Sequence, residues 1–218
     1  LSSKILDQLD LRGRINVVIG SRGLLGKIAV ATIKELGGEC LELDLPDFDL
    51  LDPTTYPHLD QAPHGVINCA IGNQIAVKSP QDAMSRDLEI GLAGAAYAME
   101  LFKPRPGGVF VNVGSDLSFK APAPARYHPN FKPLSYSIVK FGVLGLTKYY
   151  AAIWGPENIR CNTLCPGGIE QGQAKPYCPL ARLARPEELK APIAFLMSDA
   201  SSYMTGAELR VDGGSTCW

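Results

Sequence analysis

The chain has 218 residues, with 21 basic and 22 acidic side chains and a formal net charge of -1. Acids and bases are mixed along its length, so no basic block points to nucleic acid and no charge run to a disordered tail. No apolar stretch reaches the roughly 18 residues that a membrane span needs, and the length suits one α/β domain over residues 1–218 better than two.

In chain order, residues 14–19 (RINVVI) read as a buried strand, followed by a glycine turn and a helix over 25–36. Residues 40–45 (CLELDL) and 65–70 (GVINCA) read as further strands, and 81–102 as a long helix rich in small residues. A strand over 108–113, a helix over 135–152, a strand over 159–164, a helix over 186–197 and a last strand over 207–211 complete the series. Alternating helices and near-continuous apolar strands imply a parallel, doubly wound α/β sheet with helices on both faces. One stretch conflicts with this pattern. Asp47-Phe-Asp-Leu-Leu reads as a strand directly after the one ending near Leu45, yet neighbouring parallel strands need a crossover of about a dozen residues. Either the crossover is deleted or residues are missing here, and the stretch after Pro166 is short in the same way.

The opening LSSKILDQLD has neither a basic nor an apolar leader region, and Cys40, Cys69, Cys161, Cys165, Cys178 and Cys217 show no metal spacing. Buried structural thiols in a reducing, cytoplasmic setting are the expectation, with no metal site.

Gly20-Ser21-Arg22-Gly23-Leu-Leu25-Gly26 lies between the first strand and the first helix. There, glycines let the backbone turn tightly against a pyrophosphate, and the helix N-terminus offers free N–H groups. Asp44 closes the second strand, where a carboxylate accepts from ribose hydroxyls and repels a 2′-phosphate, favouring NAD. Arg22 pulls towards NADP, because it can pair with that phosphate. Asp49 and Leu50 follow as adenine contacts, and Asn68 and Ala70 end the next strand at the same edge.

Tyr136-Ser-Ile-Val-Lys140 sets a phenol and an ammonium four residues apart, on one face of a helix. A cation beneath the ring favours the phenolate, which lets the tyrosine exchange a proton with an alcohol or carbonyl oxygen. Ser115 upstream, after an apolar run, supplies a hydroxyl to complete the site.

Together these motifs resemble the short-chain dehydrogenase/reductase family. The glycine loop, Asp44, Asn68-Cys-Ala70, Val111-Asn-Val-Gly-Ser115, Tyr136-xxx-Lys140, Cys165-Pro-Gly-Gly168 and Val211-Asp-Gly-Gly214 occur in family order over essentially the whole chain. The resemblance implies a Rossmann-type fold and an NAD(P)-dependent oxidoreductase. It makes Ser115 the residue that orients the reacting oxygen, Tyr136 the general acid/base, and Lys140 the residue that lowers the tyrosine pKa and holds the nicotinamide ribose. Pro166, Gly167 and the backbone of Ile169 hold the nicotinamide.

Three departures stand out. The glycine spacing is GxxGxxG, as in the family's extended branch. The helix asparagine that supports a proton-relay water falls at Gly91, which puts the relay in doubt, although the vacated space can take a water. The interval from Ser115 to Tyr136 is long and carries the proline-rich APAPARYHPNFKP. Within the family, this loop, SYSIVKFGVLGLTKYYAAIW, CPGGIEQGQ and the ending DGGSTCW are most similar to flagellin-modification and other surface-sugar oxidoreductases. That similarity implies a sugar phosphate or nucleotide sugar as substrate, with Arg126, His128 and Lys132 able to meet its anionic group.

Two other readings stay open beside the dehydrogenase. One is a sugar epimerase or dehydratase that oxidises its substrate only transiently; the other is a nucleotide-binding regulator without turnover. The small residues of 81–102, with the Tyr136 helix, imply a homotetramer or homodimer.

Overall fold

The structure is a computed structural model that describes residues 4–71, 80–128, 132–170 and 176–217. Six strands form one sheet: β1 (Ile15–Ile19), β2 (Glu39–Leu43), β3 (Gly65–Asn68), β4 (Val109–Val113), β5 (Arg160–Pro166) and β6 (Glu208–Val211). Their spatial order is β2-β1-β3-β4-β5-β6, and every neighbouring pair is parallel. The helices are α1 (Leu24–Glu35), α2 (Pro80–Leu88), α3 (Ala95–Leu101), α4 (Pro124–Tyr127), α5 (Leu134–Trp154) and α6 (Lys190–Met197).

Alternation along each strand sends neighbours to opposite faces, which divides the core in two. Val18, Ile67, Val111 and Leu164 pack with Ile28, Ile33 and Ile193 under α1 and α6. Val17, Val66 and Phe110 pack with Met99, Phe102, Tyr150 and Trp154 under α3 and α5. Side chains as fully buried as Ile67 and Phe110 each contribute about 1.5–3 kcal/mol of transfer free energy. A sheet anchored this way holds its C-terminal edge still, and the candidate site residues sit along that edge.

Two expectations change. Asp47-Phe-Asp-Leu-Leu is not a strand: the chain turns through it and crosses directly to β3 on the far side of β1, leaving β2 at the sheet edge. A strand beside β2 would need a crossover that the chain does not have. Phe48 and Leu50 are instead 4% and 5% exposed and plug the α3/α5 core. The long helix is also interrupted, because Glu89–Gly94 is wound as a π-helix between α2 and α3. Such bulges are frequent at functional sites, and this one carries Gly91. A Cβ at residue 91 would lie 2.4 Å from Val139 Cγ1, so a side chain is excluded there, while a pocket of about 20 Å³ lined by Gly91, Asn68, Asn112 and Lys140 has room for one water.

Candidate active site

The glycine loop follows β1 because φ is +74° at Gly20, a conformation that disfavours side chains. The next turn returns so closely that a Cβ at Gly26 would sit 2.0 Å from the Gly20 carbonyl oxygen. The N-terminus of α1 is thereby pressed onto the strand end, with its free N–H groups facing the cleft.

Two adjoining cavities of about 350 Å³ and 270 Å³ run along this edge and share Gly23, Cys69 and Ile71. Jointly they have the size of a small-molecule site, roughly 300–1,000 Å³. The first is lined by Gly20, Arg22, Asp44, Asp49, Leu50 and Ala70. The second is lined by Leu25, Gly26, Ser115, Tyr136, Lys140, Pro166, Gly167 and Ile169. Asn68 lies in a separate pocket of about 20 Å³ beneath Tyr136 and Lys140. Ser21 is buried and lines neither large cavity.

The residues present fit a dinucleotide on structural grounds, since the glycine cradle leaves no room for side chains where a pyrophosphate would approach. Asp44 closes β2 and accepts from the Arg22 backbone N–H at 2.7 Å and the Leu45 N–H at 2.8 Å. The Arg22 guanidinium turns away from the loop, pairs with Asp47 at 2.6 Å and donates to the Leu45 carbonyl.

At the other end, Lys140 is buried within α5 and donates to the Val113 carbonyl at 2.7 Å, with Nζ 5.7 Å from the Tyr136 ring centroid. Burial pushes its pKa down to about 8. The Tyr136 phenol is pushed up from its ordinary value, chiefly by burial; a hydrogen bond with Ser115 pulls it down, Asp116 raises it and Arg126 lowers it. Lys140 therefore stands under the ring as the spacing implied, but the cation that pulls the phenol down most is Arg126. The Lys140 charge is spent on the Val113 carbonyl and on the cost of its own burial.

Ser115 begins the turn Asp116–Ser118, accepts from the Leu117 N–H at 3.1 Å and donates to Asp116 Oδ1 at 3.1 Å. The Asp116 carboxylate accepts from Ser215 Oγ at 2.9 Å and Arg126 Nη1 at 3.3 Å, with Lys120 Nζ 3.6 Å away. Sequence reasoning missed Asp116 and Ser215. Their only signal is adjacency: Asp116 follows the serine, and Ser215 follows the family's Asp-Gly-Gly tail.

The three cations of the Ser115–Tyr136 loop part company. The Arg126 side chain is 4% exposed and tied to Asp116, and His128 is exposed. Lys132 lines the second cavity with Nζ 5.1 Å from the Tyr136 ring centroid. Burial, then the Arg126 charge, lowers the Lys132 pKa. Residues 129–131 of the loop, 171–173 of CPGGIEQGQ and 218 of the ending lie outside the described residues.

A family model described as Enoyl-(Acyl carrier protein) reductase matches residues 54–216. A trans-4-hydroxycyclohexanecarboxylate dehydrogenase of Sinomonas cyclohexanicum is 37% identical over 149 residues, covering 62% of this chain and 52% of that protein. An L-rhamnose 1-dehydrogenase (NAD(P)(+)) of Sphingomonas sp. is 33% identical over 153 residues, covering 62% of this chain and 57% of that protein. The alignments thus span little more than half of these relatives' lengths. A solved short chain dehydrogenase from Leptospira borgpetersenii with bound NAD+ shares the fold at a TM-score of 0.80 and 23% identity, covering 99% of this chain and 97% of that one.

Proposed function

Because this chain belongs to the short-chain dehydrogenase/reductase family, we propose that it is an NAD-dependent oxidoreductase that interconverts a secondary alcohol and a ketone, within one Rossmann-type domain over residues 1–218. The observation that carries the reading is the convergence of Ser115, Tyr136 and Lys140 on one cavity, which continues to the glycine loop. Bound NAD supplies the hydride acceptor or donor. Tyr136 takes or returns the hydroxyl proton, Ser115 steadies the reacting oxygen, and Lys140 adds positive charge below the ring.

NAD is favoured over NADP by the charges around Arg22. Asp44 offers a carboxylate at the end of β2, while the cation that would meet a 2′-phosphate is already engaged by Asp47. Gly20, Arg22, Gly23, Asp49, Leu50 and Ala70 line the adenosine half, and Leu25, Gly26, Pro166, Gly167 and Ile169 the nicotinamide half.

The substrate is a cyclic or sugar-derived alcohol that carries an anionic group, with a sugar phosphate or nucleotide sugar as the specific candidate. Two relatives named for a hydroxycyclohexanecarboxylate and for rhamnose support the ring alcohol. Lys132 supports the anion: its ammonium faces the cavity beside Tyr136, and among the described residues it forms no salt bridge. The chain acts in the cytoplasm as a homotetramer, or failing that a homodimer. Exposed Tyr97, Phe141, Tyr149 and Ile153 on α3 and α5 supply apolar surface for self-association.

Calorimetric titration with NADH and NADPH, for wild type and Asp44→Ala, tests the nucleotide half. NADH preference that Asp44→Ala relaxes is the expected result, and no binding of either removes the reading. Turnover is then screened on hydroxycyclohexanecarboxylates, aldoses and sugar phosphates. Net formation of NADH is expected, whereas substrate conversion without it would turn the assignment to an epimerase or dehydratase.

A further inference from the structure

Ser115 has one proton and two lone pairs. The proton is directed to Asp116 Oδ1 at 3.1 Å, and one lone pair takes the Leu117 N–H at 3.1 Å. That leaves one lone pair to meet Tyr136. A serine held this way accepts from a phenol, but it cannot donate to a phenolate unless it lets go of Asp116. The strength of the Asp116 hold is set on its other oxygen, where Ser215 and Arg126 donate and Lys120 stands nearby. The Arg126 guanidinium reaches that position because residue 168 is glycine; a Cβ there would lie 2.3 Å from Arg126 Nη2.

We propose that Asp116 is a positioning residue for the reaction: it keeps the Ser115 proton while Tyr136 is a phenol, and Arg126, Lys120 and Ser215 loosen that hold so the proton can turn to Tyr136 when the phenol ionises. No bond other than O–H···O contacts changes, and the Ser115 proton stays on Oγ throughout. The device rests on the reading of Tyr136 as the proton-transfer residue.

Among the described residues, the charged and titratable groups around Tyr136 are Asp116, Arg126 and Tyr127 from the loop after β4, Lys132 ahead of α5, Lys140 within α5, Asp87 of α2 and Cys69 after β3. Of these, Asp116 and Arg126 act on the phenol in opposite directions. Their removal must therefore move it in opposite directions, which loss of a merely structural contact would not do.

The test is a ¹³Cζ-tyrosine NMR titration of the full chain, with Tyr136→Phe assigning the resonance. Asp116→Asn keeps an acceptor oxygen for Ser115 while removing the charge, and is expected to lower the Tyr136 midpoint by about one pH unit. Arg126→Met is expected to raise it by a similar amount. Where that buried variant does not fold, Lys120→Met takes its place and is expected to raise the midpoint by less. On a Ser115→Ala background the Asp116→Asn shift is expected to shrink by about half or more, since only the through-space charge remains. Folded variants that leave the midpoint in place, or move it in one direction only, overturn the proposal, as does a shift undiminished by Ser115→Ala. The titration needs neither substrate nor dinucleotide. A null result there removes the role of Asp116 and leaves the oxidoreductase reading standing, while a protein inert on every substrate class removes that reading and the catalytic role of Asp116 with it.

Discussion

At the glycine-loop end of the cleft the shape is made by backbone, whereas at the tyrosine end it is made by buried charge. Around Gly20 and Gly26 the walls approach so closely that no side chain fits, the Gly26 Cβ position being 2.0 Å from the Gly20 carbonyl oxygen. Around Tyr136 the chain buries Lys140, Asp116 and most of Arg126, groups whose desolvation is costly and which persist only because each has a partner. The difference teaches how each end fails. The first should break by steric collision whatever the added group, and the second by loss of charge or of a proton even when the shape is kept.

Tyr136→Phe is the sharpest test of that division, since it removes one oxygen and keeps the ring. Turnover should fall by about 10²–10⁴, while NADH affinity stays within about twofold in the same calorimetric titration. A matching loss of NADH binding would show that the two ends are not separable.

Lys140→Met tests whether the buried ammonium carries a stability cost. The folded pKa of about 8 lies below the 10.5 of an ordinary lysine. Between these values the unfolded chain binds more protons, so the Lys140 contribution to stability rises with pH through that window. It is complete above the unfolded value and absent below the folded one. The full difference is on the order of 3 kcal/mol. Urea unfolding at pH 7.5 and pH 10 should show the wild type gaining stability relative to Lys140→Met; equal changes in both would mean that the lysine is not held neutral by burial.

Gly26→Ala adds one methyl where there is no space. The expected result is a loss of about 1–3 kcal/mol in unfolding free energy, with a larger proportional loss of NADH affinity than of helical signal. A fully stable Gly26→Ala would show that the backbone at this end has room to give.

The smallest expected effect is Asp44→Ala, where one carboxylate leaves an otherwise backbone-built wall. Preference for NADH over NADPH should relax by roughly tenfold, the scale of one charge-assisted hydrogen bond. Preference unchanged by this substitution would mean that the Arg22–Asp47 pair, rather than Asp44, sets the choice.

The inner strands and the long helices were legible in the sequence because each buries a continuous or periodic apolar set. Ile15–Ile19 and Val109–Val113 leave only one position outside the core. The residues that line the cleft were legible because motif glycines, an acid and the Tyr-xxx-Lys pair sit at ends of such elements. The misreading of Asp47-Phe-Asp-Leu-Leu has a physical cause: Phe48 and Leu50 are buried, as strand residues would be, but they close the sheet edge as a plug instead of extending it. That residue 91 has to be glycine was not legible, because what excludes its Cβ is Val139, from a different helix and far along the chain. The Asp116–Arg126 pair spans ten residues of proline-rich loop, and no periodicity marks such a contact. Ser215 is further still, separated from Asp116 by 99 positions.

That last separation has a consequence for truncation. Ser215 lies beyond β6, in a short tail shaped by Asp212, which accepts from the Gly214 and Thr216 N–H groups and the Thr216 hydroxyl. All six strands are complete by Val211, ahead of this hydroxyl, so the sheet can be whole while the carboxylate beside Ser115 lacks one of its donors. Peptides fused or clipped just past Val211 would therefore report themselves in the chemistry of the cleft before they disturbed the architecture that carries it.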